Sequence, residues 1–230
     1  MSIKDILHDF IDLIFPRYCE ACHKGLVGNE EIICTYCRIL LPRIEADGLN
    51  SEAINFKFAG TPEIKSTHSF LLFTKKGNVQ HLLHALKYKG NKEVGLLLGF
   101  MFGQEMAASG ILPSAELIVS VPLHEKKKKS RGYNQSDLLA EGFSNATSIP
   151  WSGTILNRTK YTATQTGKSK TERRENVKGV FTVEKDINVR SVIIMDDVLT
   201  TGATLEECVQ ALKAAGCQEF YILTIALAKH

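Results

Sequence analysis

No stretch of 18 consecutive apolar residues occurs in this 230-residue chain, which excludes a simple membrane-spanning helix. Excess charge is also scarce: 28 Lys and Arg against 25 Asp and Glu leave +3, too little to argue nucleic-acid binding from bulk charge. A complete G-x-x-x-x-G-K-[ST] phosphate loop is missing. The nearest approach, Gly167-Lys168-Ser169, has Thr162 where the first glycine belongs, so a Walker-type nucleotide hydrolase is disfavoured. The six cysteines do not form the even framework of a small secreted domain, since four of them fall into two C-x-x-C pairs in a long α/β-like chain. The opening MSIKDILHDFIDLIFP has acids within its apolar run and no small-residue cleavage site, so no secretory signal is expected. The cytoplasm is the expected compartment.

What is present suits one α/β domain with a small appendage, at 44% hydrophobic and 23% charged residues. From Ile3 to Phe15 apolar residues recur at helical spacing until Pro16. Core packing explains such a stripe. A peripheral position at the inner membrane is the weaker alternative, because the polar face carries Asp5, Asp9 and Asp12 with only Lys4 to attract anionic lipid.

Cys19-x-x-Cys22 and Cys34-x-x-Cys37 follow, eleven residues apart, with Gly25, Gly28 and Asn29 between them. Two such knuckles let four thiolates converge on a tetrahedral metal, and a structural zinc ribbon is the expectation. The same four ligands suit an iron–sulfur site, and two disulfides are the remaining alternative, disfavoured by the compartment. His23 reads as a bystander because four sulfurs close the site. A poorly periodic stretch from 42 to 66 places the domain boundary near residue 48, giving a ribbon over 1–48 and a second domain over 49–230.

In that second domain, Ser69–Phe73 reads as a strand, Val79–Tyr88 as a helix closed by Gly90, and Gly95–Met106 as a further, strongly apolar helix. His81 and His84 read as packing residues. Glu116–Val121 is a buried strand ending in Pro122-Leu123-His124. Lys126, Lys127, Lys128, Lys129 and Arg131 follow, read as a basic loop past the C-terminal end of a strand, the edge at which open α/β sheets bind ligands. A helix opens at Gly132–Gln135. Residues 154–176 are polar and basic, including Arg158, Gln165, Arg173 and Arg174, and read as a lid that orders on an anionic ligand. Val180–Val183 is a short strand, Phe220–Leu227 a last buried one, and Cys208 and Cys217 read as core residues.

The stretch SVIIMDDVLTTGAT, residues 191–204, carries the chemistry. Val192–Met195 suit a strand buried on both faces, closed by Asp196 and Asp197. Thr200, Thr201, Gly202, Ala203 and Thr204 then turn into a helix capped at its end by Gly216. Amides converging at a helix N-terminus make an anion site, and phosphate is its natural ligand. Carboxylates beside phosphate require something else to hold, such as sugar hydroxyls or a phosphate-bound Mg²⁺. A ribose 5-phosphate has both halves. The plain structural alternative is a buried strand ending in two acids before a capped helix.

This stretch resembles the signature of type I phosphoribosyltransferases. With the four cysteines, LKYKG at 86–90, VPLH at 121–124, RGYNQSDLLA at 131–140, R-x-x-x-T-x-x-Q from Arg158 to Gln165 and RRENVKGVF at 173–181, the chain as a whole resembles the ComF family. The resemblance implies a parallel-sheet α/β phosphoribosyltransferase fold, phosphoribosyl pyrophosphate with Mg²⁺ as ligand, and a role in competence, the uptake of single-stranded DNA. Asp196 and Asp197 would then hold the ribose, Thr200 to Thr204 the 5-phosphate, and Pro122, Leu123 and His124 the pyrophosphate, supported by the basic residues. No recognisable pattern selects a nucleobase. Two functions follow: a glycosyltransferase whose acceptor is open, or a single-stranded-DNA-binding module that works with the uptake machinery through the same cleft.

Overall fold

The computed structural model describes residues 15–45, 54–159, 179–183 and 187–228. Apart from Phe15, the expected N-terminal helix lies outside them, as do the boundary near residue 48 and Gln165, Arg173 and Arg174. The chain first forms α1 (Thr35–Leu40), β1 (Ile64–Phe73), α2 (Asn78–Tyr88), α3 (Lys92–Ala108) and β2 (Leu117–Ser120). It continues through α4 (Glu125–Arg131), α5 (Gln135–Thr147), β3 (Trp151–Ser152), β4 (Leu156–Arg158) and β5 (Phe181–Val183). It ends with β6 (Ser191–Leu199), α6 (Ala203–Ala214) and β7 (Glu219–Ala228).

Five strands form one sheet in the order β1-β7-β6-β2-β3, and every neighbouring pair is parallel. Parallel neighbours need crossovers, which cover both faces with helices and demand strands that are apolar throughout. Strand β6 meets that demand: its first five residues are all buried. Alternation along the strands divides the core in two. Ile118, Ile193, Met195, Leu223 and Ile225 pack with α2, α3 and α5, while Val119, Val192, Ile194, Phe220 and Ile222 pack with Leu205, Cys208, Val209 and Leu212 of α6. Cys208 and Cys217 are core residues, as expected.

Helices α3 and α5 make the closest helix contact. A Cβ at Gly99 would run into the Leu139 carbonyl oxygen, and one at Gly142 into the Leu96 carbonyl oxygen. Backbone therefore packs on backbone. This close crossing seats α5 against the sheet and fixes where its first turn points.

The four-cysteine segment is anchored to this body. Cys19, Ala21, Leu26, Ile33, Cys34, Cys37 and Leu41 belong to the same apolar cluster as α2 and α3. The chain leaving it lies along the free edge of β1, with Ile44 N donating to Phe70 O at 3.0 Å and Leu72 N to Pro42 O at 2.8 Å. Among the described residues no helix is long and apolar enough to cross a membrane.

In its strands the structure differs from the sequence expectation at three places. Strand β6 does not stop at the acids: Asp196 pairs with Thr224 and the ladder runs on to Leu199, because the neighbouring strand β7 continues alongside and satisfies the backbone there. The polar stretch from 154 is not uniformly a loop, since Leu156–Arg158 pair antiparallel with Phe181–Val183. Leu156 and Phe181 are buried in the core and hold this hairpin. The two-residue edge strand β3 has no sequence counterpart and is paired only to β2.

Candidate functional site

The carboxylates of β6 stand at the C-terminal edge of the parallel sheet, beside the turn into α6. Gly202 precedes α6 at φ 87°, and among the described residues no side chain caps the helix there. The first amides of α6 are accordingly left to an external acceptor. The left-handed conformation suits glycine, and the Phe58 ring lies where a Cβ would project, at 2.9 Å. Gly202 and Ala203 are buried, while Thr200, Thr201 and Thr204 are half-buried around the turn.

Helix α5 holds the acids from the other side. Asn134 caps it by accepting from Ser136 N at 3.3 Å, while its Nδ2 donates to Val121 O at 3.1 Å and Asp137 Oδ1 at 2.7 Å. Asp137 also accepts from Ser120 Oγ at 2.6 Å. The end of β2 and the start of α5 are thereby locked together. Burial raises the Asp137 carboxyl pKa, against the lowering effect of those two hydrogen bonds. From this turn Ser136 Oγ donates to Asp196 Oδ1 at 3.0 Å and Gln135 Nε2 to Asp197 Oδ2 at 2.8 Å. Gln135 Oε1 in turn accepts from Arg131 at 2.8 Å.

Cations surround the pair. Lys87 Nζ of α2 is 2.9 Å from Asp197 Oδ2. Burial lowers the Lys127 pKa, and the charges of Arg158, Arg131 and Lys87 lower it further, against the raising effect of Asp197. Arg158 is positioned over the Phe181 ring, 5.5 Å from its centroid. Burial and the charge of Asp197 push Asp196 up to about 7. Two acids within four cations suit an anionic ligand that also carries hydroxyls or a divalent cation.

Residues Lys126 to Lys129 form a helix and not the expected loop. His124 Nδ1 accepts from Lys126 N at 3.2 Å to start α4, and Gly132 closes it in the left-handed conformation. Glu125 in the first turn and Lys128, Lys129 and Arg131 in the last agree with the helix dipole. The helix divides the run: Lys127 turns toward the acids and is half-buried, whereas Lys126, Lys128 and Lys129 are exposed. Pro122, Leu123 and His124 border a cleft of about 460 Å³ whose far wall is Asn157, Arg158 and Thr159.

Comparison with known proteins agrees with this geometry. Residues 129–230 match the family model described as a phosphoribosyl transferase domain. Competence protein F of Haemophilus influenzae is 39% identical over 116 residues, which are 49% of this chain and 51% of that protein. Over that span the chain is similar to competence protein F. DNA utilization protein YhgH of Escherichia coli O157:H7 is 36% identical over 138 residues, 59% of this chain and 61% of that protein. Competence protein ComFC of Bacillus subtilis is 28% identical over 228 residues, covering 96% of this chain and 90% of its own length. Against the first two relatives, the match thus spans about half to three fifths of their length.

The N-terminal segment holds a second centre. The Sγ atoms of Cys19, Cys22, Cys34 and Cys37 all lie within 4.8 Å of one another, and Cys22 and Cys34 are 3.8 Å apart. Ligands about 2.3 Å from one tetrahedral ion stand about 3.8 Å from each other, so the spacing fits a four-sulfur metal site. No pair is bridged. Amides support the sulfurs: Cys34 N donates to Cys19 Sγ at 3.3 Å and Cys37 N to Cys34 Sγ at 3.4 Å. Burial opposes ionisation of Cys19, but the amides of Cys22, Cys34 and Ala21 outweigh it and bring the thiol down to about 7. Burial and the neighbouring sulfurs push Cys37 up. His23 packs against His81, ring centroids 4.7 Å apart, and is outside the sulfur cluster.

Lys87, Gln135 and Ser136 touch the acids, and none was singled out as a site residue from sequence. Their signal was present in LKYKG and RGYNQSD, which are dense in polar residues at the ends of apolar helices.

Proposed function

We propose that this protein binds phosphoribosyl pyrophosphate with Mg²⁺ at the edge of β6 and works in bacterial DNA uptake. One observation carries the reading: two carboxylates on the central parallel strand lead directly into a helix N-terminus that no side chain among the described residues caps, with Lys87 paired to Asp197 and the charge of Asp196 acting on Arg158. Asp196 and Asp197 would take the ribose hydroxyls. The Thr200–Thr204 turn would take the 5-phosphate on the amides of α6. The cleft between Pro122–His124 and Arg158 would receive the pyrophosphate.

Mg²⁺, when bound, would neutralise the pyrophosphate and make it a better leaving group. The chain's own contribution would be placement: the acids would orient the sugar, Arg158 and Lys128 of the cleft would meet the negative charge that builds up as the C1–O bond to pyrophosphate breaks, and a nitrogen nucleophile would form the new bond at C1. We assign zinc to the four cysteines, whose four sulfurs close the site to substrate and so make it structural. The competence and DNA-utilization names of the relatives support the role in DNA uptake.

Calorimetry of phosphoribosyl pyrophosphate with Mg²⁺ tests the ligand. Wild type should bind, and Asp196→Asn with Asp197→Asn should abolish binding; equal binding by the double variant would remove the assignment. A second reading, a single-stranded-DNA grip, is favoured by exposed Lys126, Lys128 and Lys129 lying together on α4. Alanine at these three should weaken DNA binding and flatten its salt slope by about one unit for each phosphate no longer neutralised.

A further inference from the structure

Helix α2 touches both chemical centres. At its first residue Asn78 Nδ2 donates to Cys37 Sγ at 3.6 Å, and one turn later His81 Nδ1 is 2.7 Å from the carbonyl oxygen of Ala21, inside the first cysteine pair. Just past the helix, Asn91 and Lys89 reach the Glu20 carboxylate at 3.0 and 3.4 Å. The other end belongs to the carboxylate site. Lys87 pairs with Asp197 at 2.9 Å, Leu86 O accepts from Tyr133 OH, and the Arg131 guanidinium lies 5.2 Å from the Tyr88 ring centroid.

The helix is stiff enough to connect these ends. Its 11 residues rise about 16 Å, and Val79, Leu82, Leu83, Ala85 and Leu86 are buried in the cluster that contains Cys19, Cys34 and Cys37. A shift of the cysteine loop therefore moves the whole helix and not one side chain.

We propose that the four-cysteine centre is the positioning element for Lys87, so that metal occupancy and the charge contact on Asp197 are coupled through α2. Four Sγ atoms within 4.8 Å of one another are cross-linked by an ion when it is bound and lose that link when it is not. Loss of the ion would release Cys37, Ala21 and Glu20, the three residues that α2 and the turn after it hold. Coupling is reciprocal in affinity: if the bound metal favours the Lys87–Asp197 contact, that contact favours the bound metal by the same factor, and its loss should show as faster metal release. The proposal rests on reading the cysteines as a zinc site; only its second test involves phosphoribosyl pyrophosphate.

The first test is the rate of Zn²⁺ release from the full-length, ligand-free protein to a metallochromic chelator. Lys87→Met retains the aliphatic stem and removes the charge at the far end of α2, and it should speed release about fivefold or more. His81→Ala should speed release too, and the two together should fall short of the product of the single effects. Lys213→Met removes the surface ion pair with Glu63 on α6 and should leave the rate unchanged. Release from Lys87→Met at the wild-type rate overturns the proposal, as does an equal acceleration in Lys213→Met or a chain that takes up no Zn²⁺. In the second test, phosphoribosyl pyrophosphate with Mg²⁺ should slow release from wild type and not from Lys87→Met. If nothing slows wild type while Lys87→Met still accelerates release, the coupling stands and the ligand reading fails. Equal slowing in both proteins removes Lys87 from the path.

Discussion

Lys87 Nζ and Gln135 Nε2 meet on a single atom, Asp197 Oδ2, at 2.9 and 2.8 Å. One donor comes from the helix that follows β1, the other from the helix that follows the basic run. The acceptor belongs to the central strand, so the site exists only when three crossovers have closed. Asp196, its neighbour, has Ser136 Oγ and the Asp197 amide on Oδ1, at 3.0 and 2.8 Å.

Asp196→Asn should stabilise the ligand-free protein at pH 8, and the gain should vanish toward pH 4. Burial and Asp197 raise the folded-state pKa of Asp196 to about 7 from an ordinary 3.8. Between those values the folded chain holds a proton that the unfolded chain has lost, so wild-type stability falls as pH rises through this window. Asparagine removes that loss and retains an oxygen for both donors. Urea titrations at intervals of pH should show a difference growing to about 4 kcal/mol above pH 7; a constant difference would mean that Asp196 does not titrate there.

Gly99→Ala should destabilise the fold by about 1–3 kcal/mol in urea, because the clash is with a backbone carbonyl that has no rotamer to give. It should also weaken the ligand site, since moving α5 draws Gln135 and Ser136 away from the acids. Gly110→Ala, which meets nothing within 4 Å but has φ 71°, separates a backbone cost from a packing cost.

Gly202→Ala meets two obstacles, a left-handed φ of 87° and the Phe58 ring. The backbone part should cost about 1–2 kcal/mol. Phe58→Leu in the same chain should return the steric part alone, so partial recovery of melting temperature is expected. Full recovery would show that the turn is not held in its left-handed form.

Metal analysis should find one Zn²⁺ per chain, absent after Cys37→Ser. Cys37 is 1% exposed and sits in the core cluster, so its loss should open residues 15–45 to limited proteolysis before the sheet unfolds. Free thiols at all four positions in the native protein would end the zinc assignment.

Much of this was legible from residue order. The run Val192–Met195 became the most buried part of the central strand, and the turn to α6 came at Gly202. The cysteine knuckles came together because each pair is local and the eleven-residue gap allows one reversal. The lysine run was misread for a physical reason. Four like charges argue for a solvated loop, but His124 and Gly132 cap the segment at its two ends and turn it into a helix.

The sequence by itself determined the identities and local geometry of the acids, the Thr200–Thr204 turn and the four sulfurs, because each is encoded within a few residues. Only the tertiary structure decided which donors the acids receive and how the two centres are linked. Gln135 and Asp197 are 62 residues apart, and Glu20 and Asn91 are 71 apart. Contacts of that span leave no period in the chain; they arise when glycine contacts let α3 and α5 close and parallel crossovers bring α2 alongside.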